Sequence, residues 1–404
     1  MRPLARPEDV LELVPPGTDL VVAMAAGEPS VLLDAIEAAA ADGALDDVVI
    51  HQMHPHARRP SMGGAYPERL RHVSYFLSGA DRPLLGNGLS YVPANFSEVP
   101  EIILRRARRP LVLASVGSVL QPTWGTNGEY VAALVRDGVP CVLEVNAQQP
   151  AAYGRAVPAN SIVATLAVDV PVPTVEPREP SPEDLRIAEL VAERIPHGAT
   201  LQVGVGAIPD MVLRSLRDHR GLRIHTELLT DGIAQLAQAG ALVNDSADPA
   251  RATFALGTSA LYGWIDRNPQ VAMLPVDEVN DPRIIAEQPR MQSICATTEV
   301  DLYGQCASAT VGGRWFSGSG GQLDFMRGVH RTHDGQGFIV MRSRLKDGSS
   351  RIRGTLSPGS AVTTGIHFVD QVVTEYGVAE LRDRSLGERA RALIAVAAPE
   401  HREA

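Results

Sequence analysis

PPGTDLVVAMAAGEPSVLLDAIEAAA, residues Pro15–Ala40, and PHGATLQVGVGAIPDMVLRSLRDH, residues Pro196–His219, carry one pattern twice. Each reads as a turn, a short apolar strand, a turn of small residues and an amphipathic helix. Leu20, Val22 and Met24 correspond to Leu201, Val203 and Val205 at a constant offset. Each unit leads on to a further candidate strand, in DDVVIHQM and in LRIHTELL. Strands alternating with helices build mainly parallel sheets covered by helices. The expected class is therefore α/β, as two tandem domains with the site where they meet.

The boundary between the two copies is VDVPVPTVEPREPSPEDL, Val168 to Leu185. Its five prolines fix backbone torsions and remove amide donors, which reads as an extended linker. The linker ends in a helix start: Ser181 as cap, Pro182 at the first helical position, Glu183 and Asp184 at the positive end of the dipole. The expected domains are 1–180, with the linker at its end, and 181–404. RRPLVLASVG and VPCVLEVN in the first half, and ATFALGTSALYGWI and NPQVAMLPV in the second, are nearly continuous apolar runs. Such runs suit buried parallel strands. SLGERARALIAVA reads as a helix with Leu386, Ala390, Leu393 and Ile394 on one face.

Composition narrows the function. Of 404 residues, 45% are hydrophobic and 21% charged, enough for two packed cores. Against 47 Asp and Glu stand 37 Lys and Arg, a net charge of -10, which argues against nucleic acid or an anionic membrane surface as partner. No apolar run is long enough to span a bilayer and the opening MRPLARPEDV has no signal-peptide core. Cys141, Cys295 and Cys306 form no CxxC pair, so disulfide and cysteine–zinc scaffolds are not expected and a cytoplasmic location fits. Lys346 is the single lysine, so Schiff-base chemistry would rest on it alone.

Several catalytic motifs are missing: no GxSxG, no HExxH and no P-loop. Gly204 and Gly206 follow a strand, but Pro209 stands where a dinucleotide fingerprint places glycine. His51, His54 and His56 read as solvated loop histidines rather than metal ligands, because no acid or cysteine completes a set. In LQVGVGAIPD the small residues Gly204, Gly206 and Ala207 suit either an anion at a helix N-terminus or tight strand-to-helix packing. Glu227, in RIHTELLTDG, follows a predicted strand. As an isolated residue it is an acid, a base, a nucleophile or a helix-capping acid. FSGSGGQLDF, Phe316 to Phe325, forms either an amide-lined nest for an oxyanion or phosphate, or a plain turn.

LQVGVGAIPD, LRIHTELLTDGI, ALGTSALYGWIDRNP, PVDEVNDPRIIAEQ, EVDLYGQ, FSGSGGQLDF and VVTEYGVAELRDRSLGERARALI resemble, in order and spacing, the acetyl-CoA hydrolase/transferase family. That family includes 4-hydroxybutyrate, butyrate/acetate and succinate/acetate CoA-transferases. RHVSYFLSGADRP, LSYVPANFSEVP and LEVNAQQP extend the resemblance into the first half. It implies two CoA-transferase-type α/β domains, a catalytic carboxylate at Glu227, and a glutamyl-CoA thioester formed by way of an acyl-glutamyl anhydride. It also implies CoA-binding backbone at Gln202, Val203, Gly204, Val205 and Gly206, and at Gly320 and Gly321, with Ser317 nearby.

Acyl-CoA and a carboxylic acid are the implied substrates, with no tightly bound cofactor, no metal, and a homodimer as the assembly. Acyl-CoA hydrolysis, a specialised biosynthetic acyl transfer, or acyl-CoA binding without catalysis are the alternatives on this scaffold. The first-half segment LQPTWGTNGEYVAAL departs from the SPPDEHG-like pattern. Gly337 stands for a lysine, Ile366 for an arginine and Ala398 for a histidine; the lost cations point to a larger or less polar acyl group.

Overall fold

The computed structural model describes residues 2–118 and 121–403. Leu120, which opens the LQPTWGTNGEYVAAL segment, lies outside the described residues. The chain divides into two compact units: Met1–Val175 with Arg251–Glu278, and Glu176–Ala250 with Val279–Ala404.

The first unit is built on a parallel sheet. Its strand order is Arg2–Pro3, Ile162–Val168, Cys141–Asn146, Pro110–Ser118, Asp19–Val22, Val48–Gln52, Leu70–Ser74 and Leu89–Tyr91. Asp19–Val22 lies near the middle, with Asp19 opposite both Val49 and Pro110. Leu20, Val22, Ile50, Leu111 and Leu113 turn to one face and bury Leu32, Leu33 and Ile36 of the helix Ser30–Ala41. A parallel sheet covered in this way needs apolar side chains on both faces, as the runs RRPLVLASVG and VPCVLEVN supply.

Arg251–Glu278 belongs to this unit, not to the C-terminal half in which the sequence pattern placed it. Backbone bonding decides the matter. The Gly128 amide donates to Thr253 O and the Ala255 amide to Thr126 O, both at 2.8 Å, and Val271–Met273 pairs in parallel with Tyr153–Gly154. The other edge of the first unit falls at Val175, five residues before the expected 180. ATFALGTSALYGWI is also not one strand. It is the strand Ala250–Ala255 followed by the helix Ser259–Ile265, because the Thr258 hydroxyl accepts the Ala260 amide and starts a helix.

The second unit repeats the scheme. Its sheet runs Gly377–Glu380, Gln371–Thr374, Gln336–Val340, Met291–Ala296, Thr200–Val203 and Arg223–Leu229, parallel except for the hairpin formed by the first two. Thr200–Val203 holds a position comparable to Asp19–Val22, flanked on both sides and followed by a small-residue turn and the helix Ala207–Ser215. Ser181 caps the helix Pro182–Ala192, as its sequence announces. The C-terminal helix Leu386–Val396 differs from its expected face: Leu386 is 55% exposed, while Arg389, Leu393 and Val396 are buried. Arg389 tolerates burial because three carbonyls accept from it, Tyr303 O and Leu381 O at 2.7 Å and Ile366 O at 3.0 Å.

Candidate active site

Thr200–Val203 and Arg223–Leu229 pair in register only at Thr200↔Arg223 and Leu201↔Ile224. Beyond that the strands part, and the Val203 amide donates to the Thr226 hydroxyl at 3.3 Å instead of to a backbone carbonyl. The parting opens the carboxyl ends of the strands, where open parallel sheets receive ligands. Glu227 and Gly204 sit on these two neighbouring ends.

Period-two alternation sends His225 and Glu227 to the same side of their strand. His225 Nε2 donates to Val279 O at 2.6 Å, and its ring meets Phe325 edge-on at 6.3 Å. That bond holds the backbone just before Asn280. Asn280 is fully buried; its Nδ2 donates to Glu227 Oε2 at 2.9 Å, and its Oδ1 has no partner among the described residues. The Gly321 amide donates to the same carboxylate. Gly321 is glycine because of this approach: a Cβ there would overlap both Glu227 Oε2 and Asn280 Nδ2.

Glu227 keeps some solvent access, yet the packing around its carboxyl is dense. Burial pushes its pKa up to about 7, and the Asn280 and Gly321 donors pull the other way. The result is a carboxylate more basic than an ordinary one, held by two donors.

The remaining expected residues divide. Gly204 donates to Ile294 O at 2.8 Å, and Gly206, at φ +136°, begins the helix Ala207–Ser215 with no side-chain cap. Val205 is 70% exposed between them. Gln202 and Val203 are buried in the strand. Gln202 Oε1 accepts from Ser293 Oγ and from Cys295 Sγ, and the Val203 side chain is core. These two side chains therefore face the sheet rather than open space. Burial pushes the Cys295 thiol up to about 12, so it stays protonated beside Glu227. Gly320, at φ +51°, and Gly321 turn the chain into the helix Gln322–Val329. Ser317 is spent locally, its hydroxyl donating to Ser308 O and Gly318 O at 3.2 Å.

The histidine cluster corrects its reading. His51 is not in a solvated loop but buried on the strand Val48–Gln52, between Asp19 at 3.3 Å and the Tyr75 hydroxyl at 2.8 Å. Among the described residues no group of His, Cys, Asp or Glu is arranged to hold a metal ion, and no helix is long and apolar enough to cross a membrane.

Comparison with known proteins bears on this geometry. A succinyl-CoA:cyclohexane-1-carboxylate CoA transferase of Geobacter metallireducens is 36% identical over 98% of this chain and 92% of its own. The chain belongs to the acetyl-CoA hydrolase/transferase family. Residues 257–404 match the family model of the acetyl-CoA hydrolase/transferase C-terminal domain. The 4-hydroxybutyrate coenzyme A transferase of Clostridium kluyveri is 34% identical over 95% of this chain and 92% of its own. The crystal structure of RipA from Yersinia pestis, 29% identical, superposes with a TM-score of 0.93 over 99% of this chain and 95% of that one. The protein is thus an enzyme of the acetyl-CoA hydrolase/transferase family.

Within this member, the three departures from the family pattern have distinct surroundings. Gly337 lies in the strand Gln336–Val340, where a Cβ would come within 2.7 Å of Met326 Sδ and 3.3 Å of Asp370 Oδ2. A larger side chain there would have to displace the end of Met326, so Gly337 is a close-packed position. Ala398 is fully buried. Ile366 borders a cleft described below.

Asn280 and His225 are the residues that sequence reasoning missed. Both stand inside quoted motifs, in PVDEVNDPRIIAEQ and LRIHTELLTDGI. Only the fold brings the Asn280 amide to a carboxylate 53 positions away.

Proposed function

We propose that the enzyme is a CoA-transferase that moves coenzyme A between an acyl-CoA and a carboxylic acid, with Glu227 as nucleophile. The observation that carries this reading is the Glu227 carboxylate at a strand end, with Asn280 Nδ2 on Oε2 and the Gly321 amide also donating to the carboxylate.

The chemistry follows from those atoms. The free Glu227 oxygen attacks the thioester carbonyl; the C–S bond breaks, CoA leaves as thiolate, and an acyl-glutamyl anhydride remains. The thiolate then attacks the glutamyl carbonyl. The bond between the glutamyl carbon and the bridging oxygen breaks, the donor acid departs as carboxylate with that oxygen, and a glutamyl-CoA thioester is left. An acceptor carboxylate reverses both steps and leaves as the new thioester. Thioester energy is conserved throughout, because each difficult displacement is divided in two.

When the glutamyl carbonyl is attacked, its oxygen becomes the oxyanion. Asn280 Nδ2 already faces Oε2, and the Gly321 amide donates to the same carboxylate, so charge develops where stabilisation is in place. The backbone amides of Val205 and Gly206, at the neighbouring strand end, supply the corresponding support for the oxygen of the incoming thioester, and the Gly204–Gly206 turn contacts CoA, as do Gly320 and Gly321. Gln202 and Val203 contribute by fixing the strand end from which that turn leaves. The three buried free thiols fit a reducing, cytoplasmic setting, and the proposed assembly is a homodimer of about 86 kDa, twice 43.1 kDa.

The test is covalent. The enzyme is incubated with acyl-CoA, treated with borohydride, digested and read by mass spectrometry. Reduction of a glutamyl thioester should appear in the peptide containing HTELLTDG, at Glu227. Labelling elsewhere, or exchange that survives Glu227→Gln, removes the assignment. Turnover that is equally fast without an acceptor acid identifies hydrolysis instead.

A further inference from the structure

A cleft of about 320 Å³ opens in the second unit, apart from Glu227. Its walls come from segments 366–370 and 382–389, with His330 at the C-terminal end of the helix Gln322–Val329. The Gly321 end of that helix touches Glu227, so the cleft lies at the opposite end, about 12 Å of helix away.

The cations of the cleft are unequally used. Arg382 is neutralised by Asp370, with contacts of 2.8 and 2.7 Å, and its third nitrogen donates to Gly335 O. Arg389 is buried, with each guanidinium nitrogen bonded to a carbonyl, and Asp301 and Asp370 act on it only at longer range. Arg384 is exposed, and its guanidinium makes no hydrogen bond or ion pair among the described residues. Glu388, four residues on, feels the Arg384 charge but spends its hydrogen bonds on Ser385, at 2.8 and 2.7 Å. His367 is exposed and likewise unpartnered among the described residues, while His330 Nδ1 faces Asp370 at 3.2 Å and Arg382 at 3.4 Å. Of the two acids in the lining, Asp370 is already paired with Arg382, which leaves Asp383. In a chain of net charge -10 this is a local excess of positive charge.

Two further properties restrict the ligand. Ile366, Val369 and Leu386 give the cleft an apolar wall, Leu386 being unusually exposed for its type. The volume stands near the lower end of small-molecule sites, roughly 300–1,000 Å³, which suits a nucleotide and not a whole coenzyme A. An exposed guanidinium and an imidazole in one lining match a phosphate group, and an apolar wall matches a base.

We propose that this cleft binds the phosphate of a nucleotide, through Arg384 and His367, with the base against Ile366 and Leu386. The chemistry is shared by two sources, the nucleotide end of coenzyme A and a free nucleotide. The proposal does not depend on Glu227 acting as nucleophile.

Isothermal titration of the full chain with 3′,5′-ADP, 5′-ADP and inorganic phosphate tests it. Binding of at least one nucleotide is expected to weaken about tenfold in Arg384→Ala and further in Arg384→Glu, and to persist in Glu227→Ala. His367→Ala is the second variant, with a smaller loss. Both positions are exposed, so folding is retained. If coenzyme A displaces the nucleotide and the acyl-CoA KM rises by the same factor in Arg384→Ala, the source is the coenzyme. If binding survives saturating coenzyme A, the source is a free nucleotide. No binding of any probe at millimolar concentration overturns the proposal, as does binding that both Arg384 variants retain at wild-type strength. A failed borohydride experiment at Glu227 leaves these titrations untouched, so the two readings fail separately.

Discussion

Glu227 must be an anion to attack a thioester, and burial keeps its proton in place up to about pH 7. On the proposed mechanism, kcat/KM for exchange therefore rises about tenfold per pH unit below 7 and levels off above it. Asn280 Nδ2 stabilises the charged form, so Asn280→Ala moves the midpoint to higher pH as well as lowering the plateau. A pH–rate profile of each enzyme checks this; a midpoint near the ordinary 4.5, or one that does not move in the variant, contradicts it. Gly321→Ala tests the same oxygen from its other side. An added Cβ displaces the carboxylate or Asn280, with an expected loss in kcat of about 10²–10³, the usual cost of a lost oxyanion donor. At this scale the sequence was half legible. Glu227 and the two glycine segments stand in motifs whose family resemblance marks them. The Asn280 contact was not legible, because it arises from chain return across the sheet and leaves no spacing signal. The roles of Gln202 and Val203 also needed coordinates, since only pairing to Met291–Ala296 shows their side chains committed to the sheet.

Capping is the element-level chemistry that sequence reads best, because its partners lie three residues apart. Ser181 Oγ accepts the Asp184 amide at 3.3 Å, and Asp184 Oδ2 accepts the Ser181 amide at 3.0 Å. Ser181→Ala should destabilise the second unit by about 1 kcal/mol in urea unfolding, while Ser181→Asp, which keeps an acceptor, should cost only a few tenths. Asp184→Ala should cost more, about 2–3 kcal/mol, because two interactions are lost together. It removes the carboxylate that accepts the Ser181 amide and leaves Arg342 without the partner it grips at 2.8 and 2.6 Å. Equal losses for the Ser181 and Asp184 alanine variants would show that the Arg342 pair adds nothing. The elements misread were those whose pattern is decided at a distance. ATFALGTSALYGWI is apolar enough for a strand throughout, and a single threonine cap divides it. Arg389 takes a core place on the last helix because carbonyls from three other segments converge on it.

For the molecule as a whole, the strand–turn–helix repeat is strong enough to announce two α/β units, since strand and helix periods are local. The return of Arg251–Glu278 to the first unit is not, since it depends on backbone pairing with Tyr153–Gly154 and with residues 126–128. The first unit also carries a pH liability that no local pattern shows. Glu129 and Glu144 are completely buried, and burial pushes each up to about 7. Between about pH 4.5 and 7 the folded chain holds protons that the unfolded chain has released. Stability therefore falls as pH rises through that window and is level above it. Glu144 allows the effect to be isolated. Its Oε1 accepts the Leu32 amide at 2.6 Å, and its Oε2 has no partner among the described residues. Glutamine can therefore keep the bond and place its NH₂ where nothing is lost. Glu144→Gln should thus gain on the parent protein by up to about 3 kcal/mol between pH 5 and pH 8, each tenfold change in proton affinity being worth about 1.4 kcal/mol. Other acids titrate alike in both proteins and cancel in the difference. Parallel urea titrations across that pH range measure it, and curves that stay a constant distance apart would mean that Glu144 is not protonated in the native fold.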